Sequence, residues 1–328
     1  MSQQFTHRLC IAPMMDHSDR HFRFLMRLLS RHAVLYTEMI TTGALLHGDR
    51  QRFLKFNPVE HPVAIQLGGS DPTQLASCAV LAEDEGYDEI NLNIGCPSDR
   101  VQNGQFGACL MSNPRLVADC VASINAKVKI PVTVKTRIGI DNDDDYGFLQ
   151  NFISQVGAAG CDTFIIHARK AILSGLSPKE NREIPPLNYP RVHQVKQEFP
   201  GFNIVLNGGL TTSQQVQREL AHIDGVMIGR AAYQNPYWLA RLEQLLFHKD
   251  VEIPSREFIY KTYCEYMLEQ AQRGERLKNM SRHIIGLFQS QPGARQFRRI
   301  LSSSHAEAEK NGADILERAL DSVSCITE

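Results

Sequence analysis

"NIVLNGGLTTSQQVQRELAHIDGVMIGR" (203–230) holds two short β-rich runs, 203–209 and 224–230, separated by residues with a helical pattern. Each run closes on glycine, at Gly208–Gly209 and at Gly229. Working backwards from here, the same alternation recurs. Strand-like runs stand at "RLCIAPM" (8–14), "AVLYTEM" (33–39), "PVAIQLG" (62–68), "DEINLNI" (88–94), "PVTVKTRIG" (131–139) and "DTFIIHA" (162–168). Amphipathic stretches lie between, among them 19–31, 71–86 and 113–128. Asp71-Pro72 and Asn113-Pro114 each read as an N-cap followed by proline at the first helical position. Eight strands alternating with helices over about 240 residues match the rhythm of a (β/α)8 TIM barrel. A doubly wound open sheet would more often have five to seven strands. No G-x-G-x-x-G follows the first strand, which argues against a dinucleotide-binding Rossmann fold.

Past Trp238 the character changes. "LARLEQLLFHKD" (239–250) closes a helix, "VEIPSREF" marks a joint with Ser255 as N-cap, and residues 256–328 read as several helices. The expected organisation is α/β: a barrel domain over 1–247 and a C-terminal all-helical domain over 248–328. The chain has 328 residues and a net charge of -1, so a nucleic-acid partner would have to be met by a local basic patch. There is no run of eighteen apolar residues and no signal-peptide pattern, so neither a membrane span nor secretion is expected. The eight cysteines form no C-x-x-C pair and no zinc-ligand spacing. They read as reduced, mostly buried thiols of a cytoplasmic protein without a structural metal.

In such a barrel the chemistry gathers at the C-terminal ends of the strands. Polar residues recur there: Gln66, Asn93, Cys96, Lys135, Arg137, His167, Asn207 and Arg230. Taken singly, a strand glutamine is more often a structural amide and a lone cysteine a small buried hydrophobe. Recurrence on six strands makes the functional reading the better one. Alternation in "VTVKTRIG" turns Thr133, Lys135 and Arg137 to one side, and an inward lysine calls for an anion or a polar cofactor edge. The glycine turns after the seventh and eighth strands stand where barrels often bind phosphate, and Arg230 could add a charged contact. Lys135, Gln66 and a phosphate cradle together describe FMN. Cys96, in the polar setting "NIGCPS", could then donate the proton needed when a C=C bond is reduced. Cys109, in "FGACLM", reads as core packing.

These residues also carry a resemblance. "APMMDHSDRHFR", "LYTEMITTGALLHG", "VAIQLGGSDP", "DEINLNIGCPSDRVQNGQFGACLM", "VKTRIGID", "HARK", "NGG" and "GR" together resemble the tRNA-dihydrouridine synthases. "SGLSPKENREIPPLNYPRV" (174–192) is similar to the A-type subfamily. The resemblance implies reduction of the uridine C5=C6 bond in tRNA, at D-loop positions 20 and 20a, with FMN and with NADPH as reductant. It implies that Pro13, Met14 and Met15 line the flavin, and that Gln66, Lys135 and His167 contact its polar groups. Asn207, Gly208, Gly209, Gly229 and Arg230 would face the phosphate. Hydride would pass from flavin N5 to C6, with Cys96 giving the proton to C5 and Asn93 helping to hold the uracil. A monomer without an obligate protein partner is implied as well.

The tail adds support of its own. Residues 271–300 hold seven basic residues, Arg273, Arg276, Lys278, Arg282, Arg295, Arg298 and Arg299, against one acid, Glu275. That local excess is the footprint expected for phosphate contacts. Arg295 and Arg298 share an i, i+3 spacing and Arg299 adjoins them; Lys179 and Arg182, after the sixth strand, share the same spacing and could grip RNA from the barrel side. Two other readings remain: an FMN-dependent reductase of free pyrimidines, which would need no basic tail, and an RNA-binding protein with a vestigial flavin site.

Overall fold

The computed structural model describes residues 5–247, 252–303 and 312–324. Eight parallel strands close into a barrel in chain order: β1 (Leu9–Ile11), β2 (Val34–Thr41), β3 (Val63–Gly68), β4 (Glu89–Ile94), β5 (Val132–Arg137), β6 (Thr163–His167), β7 (Asn203–Asn207) and β8 (Gly225–Ile228). β8 returns to β1, with Leu9 opposite Val226 and Ile11 opposite Ile228. All eight sequence-expected strands are present, trimmed for local reasons. β1 stops short because Pro13 has no N–H to give the ladder. β7 ends at Asn207 because Gly208 and Gly209 turn the backbone to φ 113° and 71°, which side chains resist.

The expected caps form. The Asp71 side chain accepts from Gln74 N–H, Asn113 from Leu116 N–H and Ser255 from Phe258 N–H. The helices Pro72–Glu85 and Pro114–Asn125 both open on proline, where a missing N–H costs nothing.

Strand residues are buried on both faces, as a parallel barrel wrapped in helices requires. Cys10, Ala12, Val34, Tyr36, Ala64, Ile165, Val205 and Met227 pack into one core cluster. They share their inward parity with a polar set on β3 to β5: Gln66, Glu89, Asn91 and Thr133, each 1% exposed or less. The barrel interior is therefore divided into an apolar side and a hydrogen-bonded side. Among the described cysteines, Cys10, Cys78, Cys120 and Cys161 are buried, Cys96, Cys109 and Cys264 are partly buried, and all are free thiols. Cys109 departs from the core role expected of it. It sits half-buried in the 3-10 turn Gly107–Ser112, because that turn presents only one side to the barrel. Cys325 lies outside the described residues.

The chain packs as two compact units: residues 1–16 with 33–229, and residues 17–32 with 230–328. The sequence expectation divided the chain at 247/248. Packing instead assigns the helix Arg20–Leu29 and the helices Arg230–Gln234 and Tyr237–Leu246 to the second unit. The reason lies in the side chains of that first helix. Arg20 donates to Gln270 and pairs with Glu275 at 2.5 Å, the His21 ring bonds the Tyr266 hydroxyl at 2.8 Å, and Phe24 stacks on Tyr266. Asp19, its N-cap, accepts from His21 and Phe22 N–H through Oδ1, and meets Arg282 and His283 through Oδ2. Tail residues are helical over Arg256–Gln272, Leu277–Ser281, Ala294–Ser303 and Gly312–Ser324, and no strand occurs among the described residues there.

Candidate active site at the C-terminal ends of the strands

The barrel unit gathers most of the sequence-expected residues at one mouth. Gln66, Asn93 and Lys135 lie near the ends of β3, β4 and β5, and His167 and Asn207 are the last residues of β6 and β7. Pro13, Met14 and Met15 follow β1, Cys96 follows β4, and Gly229 follows β8. Met15 is 55% exposed, a large apolar side chain left at the surface in the loop after β1.

Lys135 Nζ donates to Asn207 Oδ1 at 3.2 Å, and Asn207 Nδ2 donates to the Met227 carbonyl at 2.8 Å. The second bond fixes the amide so that its oxygen faces the lysine. Burial, reinforced by the Arg137 cation, pushes the Lys135 ammonium down to about 7, against a smaller opposing pull from Cys96. An amine that ionises near neutrality is primed to take up charge when an anionic group arrives. His167 is driven well below its ordinary value by burial and by the cations of Arg137, Lys135, Arg169 and Arg182, so it is a neutral imidazole. Neutral, it can donate from one ring nitrogen and accept at the other.

The Cys96 loop is anchored at several points. Asn93 Oδ1 accepts from the backbone N–H of Gly95 at 3.2 Å and of Cys96 at 3.0 Å. The Cys96 carbonyl accepts from Ala108 N–H, and a β-carbon at Gly107 would come within 2.6 Å of that carbonyl oxygen. Glycine is therefore required at 107, where φ is also positive at 79°. The Cys96 thiol itself is only partly buried and contacts the Ser98 hydroxyl at 3.6 Å.

Arg137, at the end of β5, binds the loop from below. Its Nε donates to the Gly95 carbonyl, and one guanidinium nitrogen donates to the carbonyls of Lys170 and Asn181. Asn181 is fully buried and ties the loop after β6 through Ile172 and Leu176. Gln66 has its backbone N–H bonded to Thr37 Oγ1, at an irregularity in the β2–β3 register between Tyr36 and Met39.

The donor set fits FMN. Lys135 has hydrogen-bonding capacity beyond its one amide partner, and Gln66 and His167 offer both donors and acceptors. The glycine turn after β7 packs its backbone so close to its neighbours that no side chain fits at either position. A β-carbon at Gly208 would meet His167 at 2.5 Å, and one at Gly209 would meet Leu187 at 2.4 Å.

Other expected residues lie elsewhere. Lys179 and Arg182 are exposed at the 3-10 turn Glu180–Arg182, and the charge of Arg182 is felt at Lys135 and His167 in the mouth. Arg230 opens the short helix after β8 and belongs to the second unit. In that unit Ala294, Phe297 and Leu301 form the buried stripe of one helix, and Arg295, Arg298 and Arg299 are exposed on the rest of it. Within the basic window, Glu275 is matched by Arg20 and Arg282 is engaged by Asp19. All seven basic residues of the window, Arg273, Arg276, Lys278, Arg282, Arg295, Arg298 and Arg299, are exposed. Sequence reasoning gave no role to Arg137 and missed Glu89, Asn91, Thr133 and Asn181. The signal for the strand residues was present as polar types at alternate positions 89, 91 and 93 of an otherwise apolar run.

A barrel mouth holding a partly open thiol, an amine poised to charge and an excluded-side-chain cradle is a site for redox chemistry. The chain belongs to the dihydrouridine synthase family, flavin-dependent oxidoreductases whose family profile matches residues 10–324. It is 57% identical over 314 residues to the tRNA-dihydrouridine(20/20a) synthase of Shewanella oneidensis, covering 96% of this chain and 92% of that protein. It is 55% identical over 312 residues to the protein of that name from Synechocystis, and 56% identical over 314 residues to the one from Vibrio cholerae. Those alignments cover 95% of this chain in each case, with 93% and 95% of the relatives. Among the described residues no helix is long and apolar enough to cross a membrane.

Proposed function

We propose that this protein reduces the C5=C6 bond of uridines 20 and 20a in the D-loop of tRNA, with FMN as cofactor and NADPH as reductant. It works as a cytoplasmic monomer. The observation that carries the reading is the pairing of a partly open thiol, Cys96, with a lysine held near its charging point in the same barrel mouth. Pro13, Met14, Met15, Gln66, Lys135 and His167 hold the ring system. Asn207, Gly208, Gly209, Gly229 and Arg230 hold the phosphate side. Bound FMN supplies the electron pair that saturates the C5=C6 bond.

The chain's own residues govern the proton. Cys96 donates its thiol proton to C5, and the thiolate left behind is stabilised by the Lys135 cation until water returns the proton. Asn93 has its carbonyl occupied by the loop backbone and one amide proton given to Gln66, so its second amide proton is the one directed to the uracil edge. A uridine stacked within a folded tRNA cannot reach this mouth, so the base is extracted before reaction. Lys179 and Arg182, with Arg295, Arg298 and Arg299, supply phosphate contacts that position the RNA without reading sequence.

Anaerobic single turnover tests the reading. The flavin is reduced with NADPH and mixed with unmodified tRNA. Its visible absorbance is followed, and dihydrouridine is mapped by mass spectrometry. Reoxidation matched by dihydrouridine at positions 20 and 20a, and slowed about 10²-fold or more in Cys96→Ala, is expected. Reoxidation by free uracil or orotate but not by tRNA would replace this reading with a small-molecule reductase.

A further inference from the structure

A line of side-chain hydrogen bonds runs through the polar half of the barrel interior and ends at the Cys96 loop. Starting at the far end, Thr133 donates its hydroxyl to Glu89 Oε1 at 2.5 Å. Asn91 Nδ2 donates to Thr133 Oγ1 at 2.8 Å, Gln66 Nε2 to Asn91 Oδ1 at 2.7 Å, and Asn93 Nδ2 to Gln66 Oε1 at 2.7 Å. Asn93 Oδ1 then receives the N–H groups of Gly95 and Cys96. Every bond in the series points the same way, towards Glu89.

That uniform sense has a physical origin. Glu89 Oε1 accepts from both the Tyr36 and the Thr133 hydroxyls, so the single hydroxyl proton of Thr133 is spent on Glu89. Its oxygen can then only accept from Asn91, so Asn91 must present its NH2. The oxygen of Asn91 therefore faces Gln66, whose NH2 faces it. The oxygen of Gln66 faces the NH2 of Asn93, and the Asn93 oxygen is left for the loop. Reversing any one amide would set donor against donor and acceptor against acceptor in the barrel interior. Glu89, Asn91 and Thr133 are fully buried and Gln66 is 1% exposed, so the order cannot be relaxed cheaply.

Both oxygens of Glu89 have further partners. Tyr36 donates to its Oε1 at 3.0 Å, and the His7 ring meets its Oε2 at 2.5 Å. Burial alone would lower the His7 pKa, but the charge and hydrogen bond of Glu89 outweigh it and raise it.

We propose that Glu89 is a positioning residue: acting through Thr133 and Asn91, its buried carboxylate fixes which way the Gln66 and Asn93 amides face, and so where the Cys96 backbone sits. Its consequence for turnover rests on the function proposed above. The effect on the loop does not.

The test compares Thr133→Val and Glu89→Gln with Thr133→Ser, which keeps the hydroxyl, and with Thr136→Val. Thr136 is equally buried on the same strand at the opposite parity. Its hydroxyl reaches only the backbone carbonyls of Ile94 and Arg137, each at 3.5 Å, and no side chain of the series, so it controls for packing and for the loss of a long backbone contact. The first readout is the iodoacetamide alkylation rate of Cys96 in the flavin-loaded enzyme without tRNA, measured per thiol by peptide mass spectrometry. The second is kcat against KM for tRNA. Thr133→Val and Glu89→Gln are expected to change Cys96 alkylation and lower kcat by about tenfold, one hydrogen bond's worth of misplacement, with KM within about twofold. Thr133→Ser and Thr136→Val should stay near wild type, and the Thr133→Val effect on kcat should shrink in a Cys96→Ala background. Unchanged Cys96 alkylation in both Thr133→Val and Glu89→Gln, or the same change in Thr136→Val, overturns the proposal. Should Thr133→Val fail to fold, Glu89→Gln against Thr136→Val gives the same decision. Wild-type protein inactive on tRNA would overturn the functional reading while the alkylation comparison still decides the role of Glu89.

Discussion

Replacing Lys135 with methionine should make the flavin-free protein more stable while crippling the enzyme. Methionine has nearly the lysine's volume and shape without the charge. The lysine's ordinary value of 10.5 is depressed to about 7 by burial and by Arg137, a gap that costs the fold about 4–5 kcal/mol at pH 7 or below. Two corrections reduce that figure. The side chain is partly open to the cleft, which lets water share the charge, and Asn207 Oδ1 would lose its donor at a cost of about 1 kcal/mol. A net gain of about 3 kcal/mol remains. The sign is fixed by proton counting: between about 7 and 10 the unfolded chain holds a proton that the folded lysine has released, so wild-type stability rises with pH there. Lys135→Met removes that slope. Thermal unfolding of flavin-stripped protein should show the variant melting about 5–10 °C higher at pH 6 to 7, with the difference closing towards pH 10. A variant equally stabilised at both ends of the range, or destabilised at pH 7, would refute the depressed lysine as the cause.

Gly208→Ala should release flavin readily and lose about 1–3 kcal/mol of stability, because its β-carbon would press within 2.5 Å of His167 at a φ of 113°; flavin retention through gel filtration checks it. Replacing Arg295, Arg298 and Arg299 together with glutamine should weaken tRNA binding and flatten its dependence on salt by about one unit for each phosphate no longer neutralised, with flavin spectra unchanged; filter binding across a salt series measures both. Asp19→Ala should destabilise the protein by about 2 kcal/mol at pH 7, since it removes an N-cap and the partner of Arg282 and His283. Burial would raise the Asp19 carboxyl, but His283, Arg282 and the Phe22 N–H hold it well below the carboxylate range. This stability is therefore present above about pH 4 and is lost as pH falls further, so wild type and Asp19→Ala should converge in acid unfolding.

The barrel is legible in the sequence because each strand carries its own signal: short, β-branched and bounded by glycine, proline or a capping pair. The mouth is legible for a related reason. Gln66, Lys135, His167 and Asn207 interrupt apolar runs at equivalent places, and a polar residue in such a run demands a partner. What cannot be read there is the identity of those partners. Gln66 and Asn91 are 25 residues apart, and Glu89 and Thr133 are 44 apart; their meeting depends on register between strands, which no single strand encodes. The same limit hides the allegiance of the helix Arg20–Leu29. Its sequence shows an apolar stripe, but not that Gln270 and Glu275 would be there to receive Arg20. Arg137 stands out as a polar strand end without a task, because its three carbonyl partners come from loops that have no periodicity.

The interleaving of the two units has a consequence for how the chain is made. The segment 17–32 leaves the ribosome early, yet the residues with which it packs begin nearly two hundred residues later, at 230. Throughout synthesis of the barrel strands, Phe22, fully buried in the finished protein, waits for Tyr233 and His283, the rings it meets there. The nascent chain must therefore keep a sticky helix waiting between its first and second strands. A gene truncated after the barrel would deprive that helix of Tyr233, Tyr266, Gln270, Glu275 and His283 for good, making the shortened product a poor candidate for soluble expression by itself.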